Sequence, residues 1–151
     1  MLGMKHIYTF LCLLLLSGVG QVGAFSEADL EKLKSTKECN KCDFSGANLG
    51  GARLRGANLA EANLTKADLT GANFYRANLT NAYLTGANLY KANLEVVNLT
   101  GADLSGANLI DAYMEDTNLQ DANLAGVDLT KAYLEATDLT GANLTMANLT
   151  G

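Results

Sequence analysis

The chain has no tryptophan, no proline, one histidine and only 7 % aromatic residues in 151 positions. Each shortage excludes something. Without proline, every backbone N–H is present, which suits a fold whose amides are all needed for ladder bonds. Positive charge is scarce: 11 Lys and Arg stand against 16 Asp and Glu, for a net charge of −5. That balance argues against tight nucleic-acid binding through phosphates. Apolar runs are short. The longest, Ile7 to Leu16, falls well below the roughly 20 apolar residues that cross a bilayer.

That run belongs to a targeting segment. Lys5 and His6 precede it, and a small-residue exit, Val22-Gly23-Ala24, comes after it. A charged start, a short apolar stretch and such an exit predict a signal peptide over residues 1–24, cleaved after Ala24. The expectation is an exported chain with no stable membrane anchor after cleavage. Cleavage would also remove His6, the only histidine, and Cys12.

Residues 25–41 read as an N-terminal helical cap and turn. Ser26 followed by Asp29 has the pattern of a capping box, and Phe25 and Leu30 stand at the staple positions. A short helix from about Glu27 to about Ser35 is predicted, covering the open top of the segment beyond it. Lys32, Lys34 and Lys37 lie toward its C-terminal end, where the helix dipole favours cations.

Cys39 and Cys42 form a C-x-x-C pair. A redox motif would want a helix N-terminus after a strand. A zinc site needs four ligands, and beyond residue 24 the chain offers no other Cys or His. A structural disulfide needs only proximity and an oxidising compartment. It is the favoured expectation, as a pin between the cap and the first coil.

From Cys42 to Gly151 one pattern dominates. Every fifth residue, from Phe44 to Leu149, is large and apolar: 22 positions, of which 19 are Leu. Ala stands two before it in 17 cases, Asn or Asp one before it in 18, and Gly two after it in 10. On an α-helix, a five-residue step rotates each successive leucine by about 140° and scatters them over all faces. On a straight strand, an odd period sends them alternately to opposite faces. The leucines share one core only if the backbone turns once per repeat, at corners rich in Gly, Ser and Thr. The solution is a coil of short sides stacked in parallel.

Units such as Ala57-Asn58-Leu59-Ala60-Glu61 and Ala67-Asp68-Leu69-Thr70-Gly71 resemble the A-(D/N)-L-x-x motif of the pentapeptide repeat family. The resemblance covers residues 42–151. It implies an all-β solenoid: a right-handed quadrilateral parallel β-helix of about five and a half coils, 20 residues per turn, with the apolar centre and the preceding Ala inward. The helix and C-x-x-C before the repeats are similar to cyanobacterial members sent to the periplasm or thylakoid lumen. Departures from the motif include Arg53, Tyr83, Tyr113 and Tyr133 in place of Asn or Asp, and Thr117 and Thr137 in place of Ala.

Wrapped at the 20 residues per turn that the resemblance implies, the surface divides into columns. One carries Ser45, Thr65, Thr85, Ser105 and Thr145, a hydroxyl ladder. Another carries Asn58, Asn78, Asn98 and Asn118, ending in Asp138. Both read as scaffold. A further side differs. It shows Arg53, Arg55, Tyr75 and Arg76 near the top, then Glu95, Glu115 and Glu135 in one column, Asp116 beside them, and Tyr113 with Tyr133 in another. Like charges stacked across strands are unfavourable, and aromatics beside charges are common at recognition surfaces. These ten residues are the candidate interaction face. Charge is also polarised along the chain. Residues 25–94 hold nine Lys and Arg and seven Asp and Glu, whereas residues 95–151 hold one Lys and nine Asp and Glu.

No reaction can be read from this sequence. No nucleophile stands with a base, and a coil filled by its own side chains leaves little room for a substrate. No cofactor is expected. The leading expectation is a non-catalytic, rigid interaction module for an unidentified protein partner. One alternative is a DNA-mimic topoisomerase regulator, similar to the quinolone-resistance pentapeptide proteins and suited to the acidic second half. Another is a purely structural spacer. The repeat runs up to Leu149-Thr150-Gly151, which raises the expectation of an end-to-end homodimer through the last coil.

Overall fold

The computed structural model describes residues 25–151. The expected signal peptide, residues 1–24, lies outside them. Among the described residues, no helix is long and apolar enough to cross a membrane.

One helix opens the described chain. Helix α1, Glu27–Thr36, is capped by the Ser26 hydroxyl, which accepts from the Asp29 N–H. Only half of the expected capping box forms. Asp29 does not reach back to Ser26; its Oδ2 accepts from the Asp43 N–H at 2.9 Å, while Ser26 N–H donates to Asp43 O at 3.1 Å. The carboxylate therefore ties helix to coil instead of closing its own turn. Leu33 is buried, and Phe25 and Leu30 pack partly buried against the core, so α1 does cover the top.

Below α1 the chain is a stack of parallel coils. Each residue one before an apolar centre bridges the residue 20 further on, unbroken from Glu38 with Asn58 to Asp128 with Asn148. Each side is so short that its pairing is a single bridge rather than an extended strand. Four bridged positions per 20 residues give four sides. Side 1 carries Phe44, Leu64, Leu84, Leu104, Leu124 and Leu144. Side 2 carries Leu49, Leu69, Leu89, Leu109, Leu129 and Leu149. Side 3 carries Leu54, Phe74, Leu94, Met114 and Leu134. Side 4 carries Leu59, Leu79, Leu99, Leu119 and Leu139.

A single repeat shows why five residues suffice. In Ala87-Asn88-Leu89-Tyr90-Lys91, the Ala87 N–H closes the corner on Leu84 O at 2.9 Å. Asn88 N–H donates to Ala67 O in the coil before, and Leu89 and Lys91 N–H donate to Asn108 O and Ile110 O in the coil after. That leaves the Tyr90 N–H without a backbone partner. The Asn88 Oδ1 accepts it, at 3.3 Å. A buried or half-buried amide left unpaired is costly, so the position one before the centre needs a short side chain with an oxygen.

Every corner has positive φ, whether or not glycine occupies it. Arg76 at 59°, Asp116 at 54° and Val96 at 59° adopt the same conformation as Gly86 at 65°. Asn and Asp tolerate this region, but a β-branched valine there is strained.

The interior is a column of leucines on each side, with Leu64, Leu69, Leu89 and Leu99 wholly inaccessible. Burial of each stabilises by roughly 1.5–3 kcal/mol. Thr117 replaces an interior alanine without penalty because its hydroxyl donates to Leu94 O at 2.7 Å; Thr137 does the same to Met114 O at 2.8 Å. Toward the last coil the core opens: Leu139 and Leu144 are partly buried and Leu149 is 51 % exposed.

Cys39 and Cys42 are joined, as expected, but not as a pin between cap and coil. Their Cα atoms are 5.3 Å apart, and Cys42 N–H closes a corner on Cys39 O. Both are buried. Cys39 thus fills an apolar-centre position and Cys42 the following small position, within one corner. Coil pairing accordingly begins at Glu38, inside the segment assigned to the cap. The small hydrophobic character of a cysteine lets it stand where the repeat elsewhere has leucine.

Candidate functional site

The Asn and Asp residues one before each centre do more than alternate with leucine. Each of the 18 accepts a hydrogen bond from the N–H two residues on, at 2.9–3.4 Å. Several also bond along the rod. Asn108, Asn123 and Asn148 donate to Asn88, Asp103 and Asp128 one coil earlier. Among the described residues, the expected Asn ladder is present on side 4 only between Asn58 and Asn78, at 3.2 Å.

The hydroxyl column behaves differently from its description as a ladder. Thr145 donates to its own repeat's Asn143, and Thr85 donates to Asp103 one coil on. Neither bonds another hydroxyl. The same network holds three carboxyls below the usual aspartate range, one on each of sides 1, 2 and 4. At Asp103, partial burial pushes upward but is outweighed by the Ser105, Thr85 and Asn123 donors. At Asp128 the hydroxyl and amide of Thr130 dominate, and at Asp138 those of Thr140.

Four repeats lack the side-chain oxygen: those with Arg53, Tyr83, Tyr113 and Tyr133. In these, the amides of Arg55, Thr85, Glu115 and Glu135 have no protein acceptor among the described residues. Arg53, Tyr113 and Tyr133 all lie on side 3.

Side 3 brings together the ten residues that the sequence singled out. Near its top, the Tyr75 ring has the Arg55 guanidinium 4.5 Å from its centroid and the Arg76 guanidinium 5.1 Å from it. The Lys37 ammonium donates to Arg55 O at 3.1 Å, adding a further cation beside them. Arg53 is exposed in the same coil as Arg55. Lower down, the Tyr113 and Tyr133 rings stack with centroids 5.0 Å apart and planes within 5°. They are 41 % and 52 % exposed. Glu95, Glu115 and Glu135 succeed one another in the adjacent column. Glu115 Oε2 is buried with no hydrogen-bond partner among the described residues. Asp116 stands exposed at the next corner.

The two charge clusters are not paired with each other. Among the described residues the ion pairs are Lys34 with Glu31 and Lys41 with Glu61; no arginine of side 3 meets a carboxylate. Side 3 therefore presents three unpaired guanidinium groups at one end and a column of carboxylates at the other. Asp29, Cys39 and Cys42 also lie together, but the two sulfurs are bonded to each other and leave no thiolate for a metal.

Sequence reasoning missed the cation–π sandwich on Tyr75, the role of Cys39 as a core residue, and the amide-capping role of the Asn and Asp positions. The last was within reach: counting N–H groups in a five-residue turn leaves one without a backbone acceptor.

Comparison with known proteins agrees with this geometry. Among solved structures, the chain is similar to Rfr23, a pentapeptide repeat protein of the cyanobacterium Cyanothece 51142, at 29 % identity over 80 % of this chain and 92 % of that one, with a TM-score of 0.54. It is similar to QnrB1, a plasmid-mediated fluoroquinolone resistance protein, at 25 % identity and a TM-score of 0.57, over 74 % of this chain and 60 % of QnrB1. A pentapeptide repeat protein of the Arabidopsis thaliana thylakoid lumen is 32 % identical over 73 % of this chain and 74 % of its own, with a TM-score of 0.44. No curated protein matches the sequence. The family model for pentapeptide repeats matches residues 38–76, 77–116 and 117–151. That span takes in every bridged coil, and the chain belongs to the pentapeptide repeat family.

Proposed function

We propose that this is an exported, non-catalytic recognition rod, right-handed and of about five and a half coils, whose side 3 binds a protein partner. The observation that carries the reading is where the repeat breaks its own rule. Three of the four repeats that forgo the amide-capping oxygen lie on side 3, and what replaces it is Arg53 and the Tyr113–Tyr133 stack. Stability is given up there for exposed guanidinium and aromatic surface, the residue types enriched at protein interfaces. Export to a periplasm or thylakoid lumen is supported by the signal-like residues 1–24 and by the Cys39–Cys42 bond.

Affinity capture from an extract of the native compartment tests this. A partner retained by the wild type and lost on Glu115→Lys with Tyr133→Ala supports the recognition face. A partner retained by both places binding elsewhere, and no partner at all favours a spacer. A second reading, an acidic DNA mimic acting on a topoisomerase, draws on the nine carboxylates and single lysine of residues 95–151 and on the likeness to QnrB1. Localisation separates the two: cytoplasmic protein favours the mimic, and exported protein removes it.

A further inference from the structure

The charge order along side 3 has a symmetry consequence. Its upper end is cationic, with Lys37, Arg53, Arg55 and Arg76, and its lower end is anionic, with Glu95, Glu115 and Glu135. Neither cluster is neutralised among the described residues. A surface that is positive at one end and negative at the other is complementary to itself, upside down. We propose that side 3 docks antiparallel on side 3 of a second copy of this chain. This rests on reading side 3 as the recognition face, and it names the partner.

A two-fold axis in the interface plane and perpendicular to the rod keeps each column opposite itself and reverses its order, which is the isologous arrangement of a symmetric dimer. With the axis between the coils of Tyr75 and Glu95, Arg55 of each copy faces Glu115 of the other. Tyr75, with Arg76 beside it, faces Glu95. In the neighbouring column, Arg53 faces Tyr113 and Asn73 faces Asn93. At the rim, Lys37 comes toward Glu135. An axis at the coil of Glu95 sets that residue against itself, and one a half-coil lower sets Glu95 against Glu115. Parallel rods keep every residue at the height of its own copy, so the cationic ends face each other and the glutamate-bearing ends face each other. Among registers that keep carboxylates apart, the chosen one has the longest overlap. It also sets the accessible part of the half-buried Glu115 side chain against a guanidinium to accept from. Charge-assisted pairs of this kind fix register as well as adding affinity.

The contact is small. A side about 25 Å long and about 10 Å wide falls short of the ~1,000 Å² expected of a stable complex. The dimer is therefore weak and sensitive to salt.

Sedimentation equilibrium of the purified protein, at low and at high salt, tests the inference. A concentration-dependent dimer is expected at low salt, weakened by at least about tenfold when screening is raised. Arg55→Glu and Glu115→Arg should each weaken it by at least about tenfold, because the axis repeats each loss twice. Mixing the two single variants should restore association, as should combining both changes in one chain, since either brings back an opposite-charge pair at both contacts. Restoration also shows that the single variants failed through charge and not through misfolding. A monomer at all concentrations overturns the proposal. So does a dimer that ignores both charge reversals and dissociates on Leu149→Asp, which places the contact at the last coil. Neither result touches the wider reading of side 3, which the capture experiment decides separately.

Discussion

At Asn88 on side 2 and at Tyr113 on side 3 the chain meets the same local need with different residues. Asn88 accepts the Tyr90 amide, accepts from Asn108 in the next coil, and donates to Thr70 in the previous repeat of its own side. Three of its four hydrogen-bonding sites are spent on the rod. Tyr113 caps no amide, stacks on Tyr133, and leaves its ring 41 % exposed. Sides 1, 2 and 4 mostly behave like Asn88, with Tyr83 on side 1 the exception. Side 3 behaves like Tyr113 at three of its five coils. The backbone path is the same throughout, so the difference lies in what the outward side chains are free to do.

If that is right, the interior must be indifferent to it. Leu89 behind side 2 and Leu94 behind side 3 are both buried. Leu89→Asp and Leu94→Asp should each cost more than about 4 kcal/mol, because each buries an unpaired charge in an array stabilised by nearest neighbours. Chemical denaturation checks this. Clearly unequal losses would break the idea that the sides differ only outside.

The outward difference should appear at intermediate size. Asn88→Ala removes the acceptor for the Tyr90 amide and should cost about 1–2 kcal/mol. Arg53→Asn and Tyr83→Asn run the other way: each supplies a missing acceptor and should raise stability by about 1 kcal/mol. The two then diverge, because only Arg53→Asn should weaken binding through side 3. Val96→Gly, which relieves a valine at φ 59°, should likewise stabilise by about 1 kcal/mol. Thermal unfolding of the single variants reads all four.

Carboxylates should respond oppositely on the two kinds of side. Glu115→Gln relieves repulsion in the glutamate column and should stabilise by a few tenths of a kcal/mol. Asp103→Asn should destabilise, because the ionised form is the one its donors favour. Asp103, Asp128 and Asp138 all have carboxyls held below the ordinary range by hydrogen bonds. Their contribution is complete above the unfolded aspartate value of about 3.9 and is lost as pH falls through their lower folded values. The unfolding midpoint should therefore drop as pH falls below about 4, and replacing all three by Asn should flatten that fall.

The five-residue period made most of the fold legible, since a core leucine at each step is compatible only with a turn at each step. It could not show that Cys39 begins the stack, because a cysteine does not look like a leucine in a pattern search. Nor did the Ser26–Asp29 spacing reveal that Asp29 serves Asp43 in the coil below; local rules cannot see a partner 14 residues away. The ten residues of side 3 were legible once the chain was wrapped at 20 residues per turn. Their geometry was not. Two guanidiniums on one tyrosine ring, and a carboxylate oxygen with no partner, depend on rotamers that repetition does not dictate.

In the proposed function, side 3 trades stability for recognition. Restoring the repeat there, with Arg53→Asn, Tyr113→Asn and Tyr133→Asn in one chain, tests it most directly. Three recovered amide caps, less the lost tyrosine stack, should raise stability by about 1–3 kcal/mol, and the same variant should lose the partner that the wild type captures. A variant that is more stable yet binds as before, or one that binds less only because it is less stable, would contradict the claim.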